Sequence, residues 1–460
     1  MTESKTSDVL PPASTVRYPE GNVLLRNLSK EFPVVTHGEG MYLFDAKGKK
    51  YIDGSGGAMV AGAGHGNREI AQKIFDQISK VAYVNGTQFT NRPAEELAAK
   101  LARLSPDPGL NRAFFLNSGS EAIEAAIKFV RQLWVERKQP GRAKLIARVP
   151  SYHGNTLYAL SASARPHYKT YYGPLLHDVV TVPAPYEYRS QVADYAKDGA
   201  EHYASELEKA ILREGPETVG AFIFEPVIGS SAGATLPPPG YFERVQEICR
   251  RHGVLMIADE VLCGSGRTGK FFAGEHFGLK PDLIVLGKGI SGGYAALSAV
   301  LVRDEHVREM KAGTGYFMHA QTYLQAPFMT VAGVATLEYL ENHRVLENAA
   351  RTGEFFHRYL HERLDAHPHV GFVTGKGMLA GVEFVADKTS KKPFDRKLKK
   401  VEGFVETAFR NGLVVWPNVG QADGVNGDLV MLAPPLATPE AQIRELVDLL
   451  VKTVDECFGA

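Results

Sequence analysis

Between residues 67 and 301, short aliphatic runs alternate with segments whose apolar residues recur at helical spacing. Each run is too short for a core helix and is bounded by glycine, proline or polar residues, which is typical of a buried strand. The runs predicted as strands are 113–117, 144–149, 178–182, 219–225, 254–260, 282–286 and 297–302. Such alternation predicts an α/β fold, in which helices cover both faces of a sheet.

Less regular elements flank this region. Residues 41–53 predict a β hairpin around a turn at Gly48. Beyond residue 330, helices are predicted at 331–342 and 345–364, then short strands near 378–385, 412–416 and 428–432, and a last helix from Thr438-Pro439-Glu440. The chain therefore has room for a second, smaller core.

Composition excludes several classes of function. Lysine plus arginine (52) equals aspartate plus glutamate (52), so no net charge attracts nucleic acid or an anionic membrane. No apolar run approaches the roughly 20 residues that cross a bilayer. The cysteines Cys249, Cys263 and Cys457 are too few and scattered for a disulfide framework or a metal cluster. We expect a soluble cytoplasmic protein that binds no metal.

Lys288 follows the predicted strand 282–286 inside a glycine-rich turn. Ligands of open α/β sheets lie outside the carboxyl ends of the strands, where this amine could meet a cofactor. A solvated loop lysine is the ordinary alternative, because most lysines are exposed. Taken alone, Lys288 does not decide between the two interpretations.

Two further stretches favour a cofactor. The strand 254–260 ends in two carboxylates, Asp259 and Glu260, and Asp259 is placed at its strand end much as Lys288 is at the end of 282–286. A lysine that forms a Schiff base and an aspartate that pairs with a pyridinium nitrogen are what pyridoxal phosphate requires of a protein. Ser118 and Glu121 have the spacing of a capping box, which places Gly119 and Ser120 at a helix N-terminus able to bind a phosphate.

Five motifs together resemble the class III pyridoxal-phosphate aminotransferases, whose members have the type I fold. They follow the family's order and spacing, and the likeness runs from about Pro19 to near the end of the chain. The motifs are Asn-Ser-Gly-Ser-Glu-Ala at 117–122, Ser-Tyr-His-Gly at 151–154, Asp-Glu-Val at 259–261 with Gly-Ser-Gly-Arg-Thr-Gly at 264–269, Gly-Lys-Gly at 287–289 and His-Ala-Gln-Thr-Tyr at 319–323.

The resemblance implies a domain plan. Residues 67–329 would form the large domain, with a mostly parallel seven-stranded sheet that binds pyridoxal phosphate. Residues 19–66 and 330–460 would form the smaller α+β domain. Residues 1–18, which are polar and rich in proline and serine, would form a flexible tail.

It also implies roles for individual residues. Lys288 would attach the cofactor and move the substrate proton, and Asp259 would keep the cofactor's ring nitrogen protonated. The other residues expected at the cofactor are Gly119, Ser120, Tyr152, His153, Glu225, Val261 and Thr322. Of these, Thr322 would reach the phosphate of a neighbouring subunit, which implies a homodimer or a dimer of dimers with sites at the interface. Glu225 is equally well interpreted as a structural ion-pair partner.

Departures from the family pattern concern the substrate. Relatives commonly carry an arginine at the position of Trp416, where it binds the carboxylate of an amino or oxo acid. Met59 stands in a loop where many relatives have a bulky aromatic residue, and Phe89 is a further candidate for the substrate pocket. Arg92 or the loop 418–427 could supply the missing carboxylate contact.

We therefore expect transamination from a primary amine or ω-amino acid to a small 2-oxo acid such as pyruvate. A pyridoxal-phosphate aminomutase or phospho-lyase would use the same lysine and aspartate. A protein that binds the cofactor without turnover is a third possibility.

Overall fold

The computed structural model describes residues 14–459. Its strands are β1 (Thr15–Val16), β2 (Phe32–Pro33), β3 (Val35–Glu39), β4 (Tyr42–Asp45), β5 (Lys50–Asp53), β6 (Leu110–Leu116), β7 (Lys144–Val149), β8 (Val180–Pro183), β9 (Val219–Phe224), β10 (Leu255–Asp259), β11 (Leu283–Leu286), β12 (Ser298–Arg303), β13 (Val370–Lys376), β14 (Leu379–Phe384), β15 (Leu413–Val414), β16 (Trp416–Val419) and β17 (Asp428–Leu432).

The helices cover these strands. They are α1 (Gly56–Met59), α2 (Arg68–Ile78), α3 (Arg92–Leu104), α4 (Gly119–Glu136), α5 (Leu157–Ala162), α6 (Pro166–Lys169), α7 (Tyr195–Glu214), α8 (Tyr241–His252), α9 (Asp304–Ala312), α10 (Pro327–Asn342), α11 (Val345–Leu364), α12 (Lys400–Arg410) and α13 (Glu440–Phe458). None of the helices between residues 14 and 459 combines the length and apolar character needed to cross a membrane.

A seven-stranded sheet organises the molecule, in the order β6-β12-β11-β10-β9-β7-β8. β12 runs antiparallel to its neighbours β6 and β11, and the other pairings are parallel. Each of these strands lies at a predicted strand, so the α/β fold with a mostly parallel sheet is confirmed. The parallel strands present their carboxyl ends along one edge, where open α/β sheets bind ligands.

Alternate residues of the central strands enter different cores. Leu283 and Val285 of β11 pack with α4 on one face of the sheet. Ile284 and Leu286 point to the opposite face and pack in the core that also contains Phe242 of α8. Each such burial stabilises the fold by roughly 1.5–3 kcal/mol. A strand buried on both faces is aliphatic throughout, which is why β11 could be predicted from its sequence.

Two smaller sheets complete the structure. One has the order β13-β14-β17-β16, and the other joins β15 to the hairpin β4–β5 and to β3. Within the second sheet, Leu413 of β15 pairs in parallel with Ile52 of β5, so the N-terminal hairpin and the C-terminal region share a sheet. The predicted hairpin at 41–53 is confirmed, whereas the domain boundaries stay a prediction.

β3 and β13 are among the elements that were not predicted from the sequence. β3 is mostly exposed, and β13 contains two glycines among residues of mixed polarity, so neither shows a clear alternation. Of the predicted tail at 1–18, residues 1–13 lie outside the described part of the chain. Within the remainder, β1 pairs antiparallel with β2.

Candidate active site

The site lies at the carboxyl edge of the main sheet. Asp259 is the last residue of β10, and Lys288 follows the neighbouring strand β11. Residues 117–118 connect the end of β6 to α4 at the same edge. Groups that are far apart in sequence therefore line one cavity of about 160 Å³.

Lys288 occupies a strained backbone position inside this cavity. Its φ of 47° is in the left-handed region, which residues other than glycine rarely adopt. Such strain persists only where the surrounding structure holds it in place, and it clusters at functional sites. Burial lowers the pKa of the Lys288 amine below its usual 10.5, although the nearby carboxylates of Asp259 and Glu225 act in the opposite direction. The neutral, nucleophilic amine is thereby favoured.

Asp259 is buried and held by two donors. Its Oδ1 accepts a hydrogen bond from the Val261 amide at 3.0 Å, and its Oδ2 lies 2.7 Å from Nδ1 of His153. Because a carboxylate only accepts hydrogen bonds, we assign the proton to Nδ1 of His153. Nε2 of His153 is buried without a partner among the described residues. His153 thus fixes the orientation of the Asp259 carboxylate.

Glu225 occupies the edge of the same cavity. Its Oε1 accepts from the Tyr152 amide at 3.1 Å, and its Oε2 accepts from the Gly229 amide at 2.7 Å. Burial raises the pKa of this carboxyl, and the charge of Asp259 adds to that effect. Glu225 lines the cavity while accepting from two backbone amides, so the predicted cofactor contact is compatible with a structural role, and that role is amide hydrogen bonding instead of the ion pair considered from the sequence.

The N-terminus of α4 forms one end of the cavity. Ser118 accepts a hydrogen bond from the Glu121 amide at 3.3 Å, and Glu121 accepts one from the Ser118 amide at 2.8 Å, so the predicted capping box is present. The amides of Gly119 and Ser120 belong to the first helical turn, where N–H groups lack an intrahelical acceptor and favour an anion. A side chain at Gly119 would place Cβ 2.8 Å from Cγ1 of Val261, so only glycine fits.

A second cavity of about 670 Å³, called the outer cavity below, adjoins the first. Tyr152, Ser230, Leu262 and Lys288 line both cavities and mark the passage between them. The outer cavity is also lined by Met59 and Trp416, two of the residues expected to contact substrate. Nε1 of Trp416 is buried and has no hydrogen-bond partner among the described residues.

Three expected residues are not brought to the cavities of their own chain. Thr322 and Phe89 are exposed and lie outside both linings, as does Arg92 at the start of α3. Their roles stay predictions, and for Thr322 and Phe89 they require a second subunit.

The structure adds two arginines that sequence reasoning did not identify. Arg165 and Arg26 both line the outer cavity, and both lie within 6 Å of the Tyr168 ring centroid, at 4.7 Å and 5.9 Å. Arg165 begins no recognisable motif, and Arg26 precedes every regular element except β1. The sequence offers one indirect indication. Because Trp416 stands where an arginine is expected, a cation from elsewhere in the chain would have to bind the carboxylate.

Comparison with known proteins agrees with this geometry. The family model described as aminotransferase class-III matches residues 26–454, which is nearly all of the chain. An uncharacterized aminotransferase, YodT, of Bacillus subtilis is 39% identical over 427 residues, covering 93% of this chain and 96% of its own.

Two other similarities concern proteins with described substrates or activity. A hypotaurine/taurine–pyruvate aminotransferase of Paracoccus denitrificans is 36% identical over 434 residues, covering 93% of this chain and 92% of its own. The crystal structure of a thermostable (S)-enantioselective omega-transaminase from Thermomicrobium roseum superimposes with a TM-score of 0.88 at 36% identity, covering 95% of this chain and 96% of that one.

Proposed function

Because the chain belongs to the class-III aminotransferase family, we propose that it uses pyridoxal phosphate to move an amino group from a primary amine or ω-amino acid to a small 2-oxo acid such as pyruvate. The observation that carries this proposal is the meeting of Lys288, Asp259 and the N-terminus of α4 around one cavity. An amine, a carboxylate and an anion site answer the three chemical demands of that cofactor.

The cavity fits the cofactor on structural grounds. Gly119 and Ser120, in the first turn of α4, both line the cavity, so their amides are available to a phosphate. Asp259 is buried at the end of β10, where its charge can be paired with a pyridinium nitrogen. His153, whose Nε2 has no partner among the described residues, lines the same cavity.

The residues have distinct duties. When bound, pyridoxal phosphate supplies an aldehyde that exchanges amines and a ring that accepts an electron pair. Lys288 attaches the cofactor through its amine and, once released, accepts and returns the proton of the substrate carbon. Asp259 stabilises positive charge on the ring nitrogen, and His153 holds Asp259 in position. Tyr152 and Val261 would contact the two faces of the ring.

The substrate part of the proposal depends on the outer cavity. Its lining is apolar at Met59, Leu262 and Trp416 and offers no arginine at position 416. An α-carboxylate beside the reacting carbon therefore lacks the usual arginine contact, which favours amines on a terminal carbon. The similarity to a hypotaurine/taurine–pyruvate aminotransferase supports an ω-amino donor with pyruvate as acceptor.

The proposal includes a homodimer. Tyr316, Met318, Tyr323 and Phe89 are exposed apolar side chains. The segments that contain them adjoin, because Tyr323 lies 5.8 Å from Tyr83 in an edge-to-face contact and Gln325 donates to the Phe89 carbonyl at 3.3 Å. Contiguous apolar patches of this kind mark protein interfaces. If a second subunit covered this patch, Phe89 and Thr322 of the first subunit would lie at the cofactor cavity of the second.

Product analysis tests the proposed reaction. Purified protein loaded with pyridoxal phosphate is supplied with pyruvate and a panel of terminal amines and ω-amino acids. We expect alanine and the aldehyde of the donor in equal amounts. An aminomutase would isomerise its substrate without pyruvate, a phospho-lyase would release inorganic phosphate, and a binding protein would yield no product, so each of these results would contradict transamination.

A further inference from the structure

Arg165 is a buried cation without an acidic partner. Only 6% of its surface is exposed, yet its hydrogen bonds go to the neutral side chains of Ser230, at 3.4 Å, and Asn418. Its Nε has no partner among the described residues. Burying a charge is costly unless an opposite charge compensates for it.

Glu225 is a carboxylate whose charge acts on Arg165, but its oxygens have other hydrogen-bond partners. Its charge lowers the cost of burying Arg165, and its oxygens accept from the amides of Tyr152 and Gly229. Among the described residues that line the outer cavity, none is acidic. The described residues of this cavity therefore leave room for a further anion to compensate the Arg165 charge.

The surroundings of Arg165 provide several donors and hold it in place. Its guanidinium carbon lies 4.7 Å from the ring centroid of Tyr168 and 5.6 Å from that of Tyr152, distances at which aromatic faces attract a cation. Arg26 donates to the Tyr168 hydroxyl at 3.4 Å from the solvent side. Trp416 adds an unpartnered indole N–H in the same cavity.

The position of Arg165 fixes which end of a substrate it could meet. Lys288 lines both cavities, whereas Arg165, Arg26 and Trp416 line only the outer one. A substrate whose amine reacts beside Lys288 would therefore carry its anionic group on a carbon further along its own backbone, and not on the carbon that bears the amine.

We propose that Arg165, assisted by Arg26, binds the anionic group at the far end of an ω-amino donor, a carboxylate or a sulfonate. This inference rests on the proposed aminotransferase function and replaces the missing arginine at position 416 with one from another part of the fold. A guanidinium fork pairs well with the oxygens of either anion, and Asn418 orients the fork.

Paired substrates separate this inference from the proposed function. β-Alanine and taurine carry a terminal anion, and 1-propylamine matches their chain length without one. In Arg165→Met we expect kcat/KM for β-alanine and taurine to fall by about tenfold or more beyond any fall for 1-propylamine, since charged hydrogen bonds are lost. Comparing the two anions shows whether carboxylate or sulfonate is preferred.

Control variants guard against a folding defect. Arg165→Lys retains the charge but not the fork and should lose less of the preference. Arg137→Met removes a partly buried arginine that pairs with Glu309 away from both cavities and should leave the preference as in wild type. If Arg165→Met does not fold, Arg26→Met, at an exposed position, should still weaken the preference several-fold.

Binding gives a readout independent of turnover. Calorimetric titration of the cofactor-loaded protein with propionate, and with the uncharged isostere propionamide, should show tighter binding of propionate, and Arg165→Met should remove the difference. If the variant retains that difference, or if Arg92→Met removes it instead, the assignment is wrong. If no amine reacts with wild type, the proposed function itself fails, which is a distinguishable result.

Discussion

Lys288 is expected to react as an amine of lowered basicity. Burial lowers its pKa below 10.5, so the neutral fraction rises at a lower pH than for a free lysine. As pH rises through this lowered pKa, the rate at which cofactor-free protein captures pyridoxal phosphate should increase and then level off. The appearance of visible absorbance after mixing measures this rate, with N-acetyl-lysine methylamide as the reference. An inflection at or above that of the reference would contradict the interpretation.

Asp259 is expected to control proton transfer more than cofactor retention. Asp259→Asn keeps the size of the side chain but removes the charge that stabilises a pyridinium. We expect the proton-transfer rate to fall by roughly a hundredfold or more, if about 3 kcal/mol of stabilisation is lost. The measurement is the isotope effect with a donor deuterated at the amine-bearing carbon.

Glu260 offers a matched control for this substitution. It is the next residue and is equally buried, but its carboxylate accepts from the amides of Ala273 and Gly274 and lies outside both cavity linings. Glu260→Gln should leave the isotope-sensitive step near the wild-type rate. An Asp259→Asn enzyme whose isotope-sensitive step is unchanged would show that the carboxylate is not the partner of the ring.

Lys288 and Asp259 could be predicted from the sequence, whereas Arg165 could not. Lys288 and Asp259 were predicted because each ends an aliphatic strand, and strand ends of a parallel sheet converge. Arg165 depends on Asn418, which is 253 residues away in the chain, and on the Tyr152 ring, which comes from the loop before α5. No local pattern records such a contact.

At the scale of elements, the N-terminus of α4 is expected to set cofactor affinity. Gly119→Ala would force Cβ to within 2.8 Å of Val261, so either the helix start or Val261 must move. We expect the affinity for pyridoxal phosphate to fall by about tenfold, as overpacking typically costs 1–3 kcal/mol. Equilibrium titration with the cofactor measures this change.

Gly403 provides the comparison for that experiment. It lies on the exposed side of α12, and an added Cβ would meet nothing within 4 Å. Gly403→Ala should leave cofactor affinity unchanged and raise thermal stability slightly, since alanine favours a helix by roughly 0.5–1 kcal/mol over glycine. If both variants bind the cofactor like wild type, the anion site is not at α4.

Elements were predictable where burial imposed a pattern. The central strands are apolar throughout because helices cover both of their faces, and β7 was predicted with its observed bounds. β13 pairs with β14 although its residues are mostly half-buried and include Gly371 and Gly375. Its place in the sheet comes from its neighbour and not from its own sequence.

At the scale of the molecule, each cofactor site is expected to need two subunits. Thr322 is exposed and is not among the lining residues of its own cavity, so we expect its predicted contact to be with the phosphate of a partner subunit. Mixing inactive Lys288→Ala and Thr322→Ala subunits would place both defects in one site and none in the other. Activity should partly return as subunits exchange. Exchange shown by a tagged subunit without any return of activity would contradict the shared site.

The assembly of the smaller sheets marks the limit of local reasoning. β5 and β15 pair although about 360 residues separate them in sequence, and nothing in either strand specifies the other. Resemblance to the family supplied this connection. The strands of the central sheet, by contrast, follow from strand–helix alternation, although their order and the antiparallel direction of β12 do not.

The spectrum of the cofactor tests the central claim most directly. Wild type loaded with pyridoxal phosphate should lose the visible absorbance of lysine-bound cofactor when a terminal amine such as 1-propylamine is added. Pyruvate should restore that absorbance and yield one alanine per site. Lys288→Ala should show neither change, whereas Lys280→Ala, at an exposed position, should behave as wild type. A wild-type spectrum that does not respond to amines, or a Lys288→Ala protein that completes the cycle at a near-normal rate, would contradict the account.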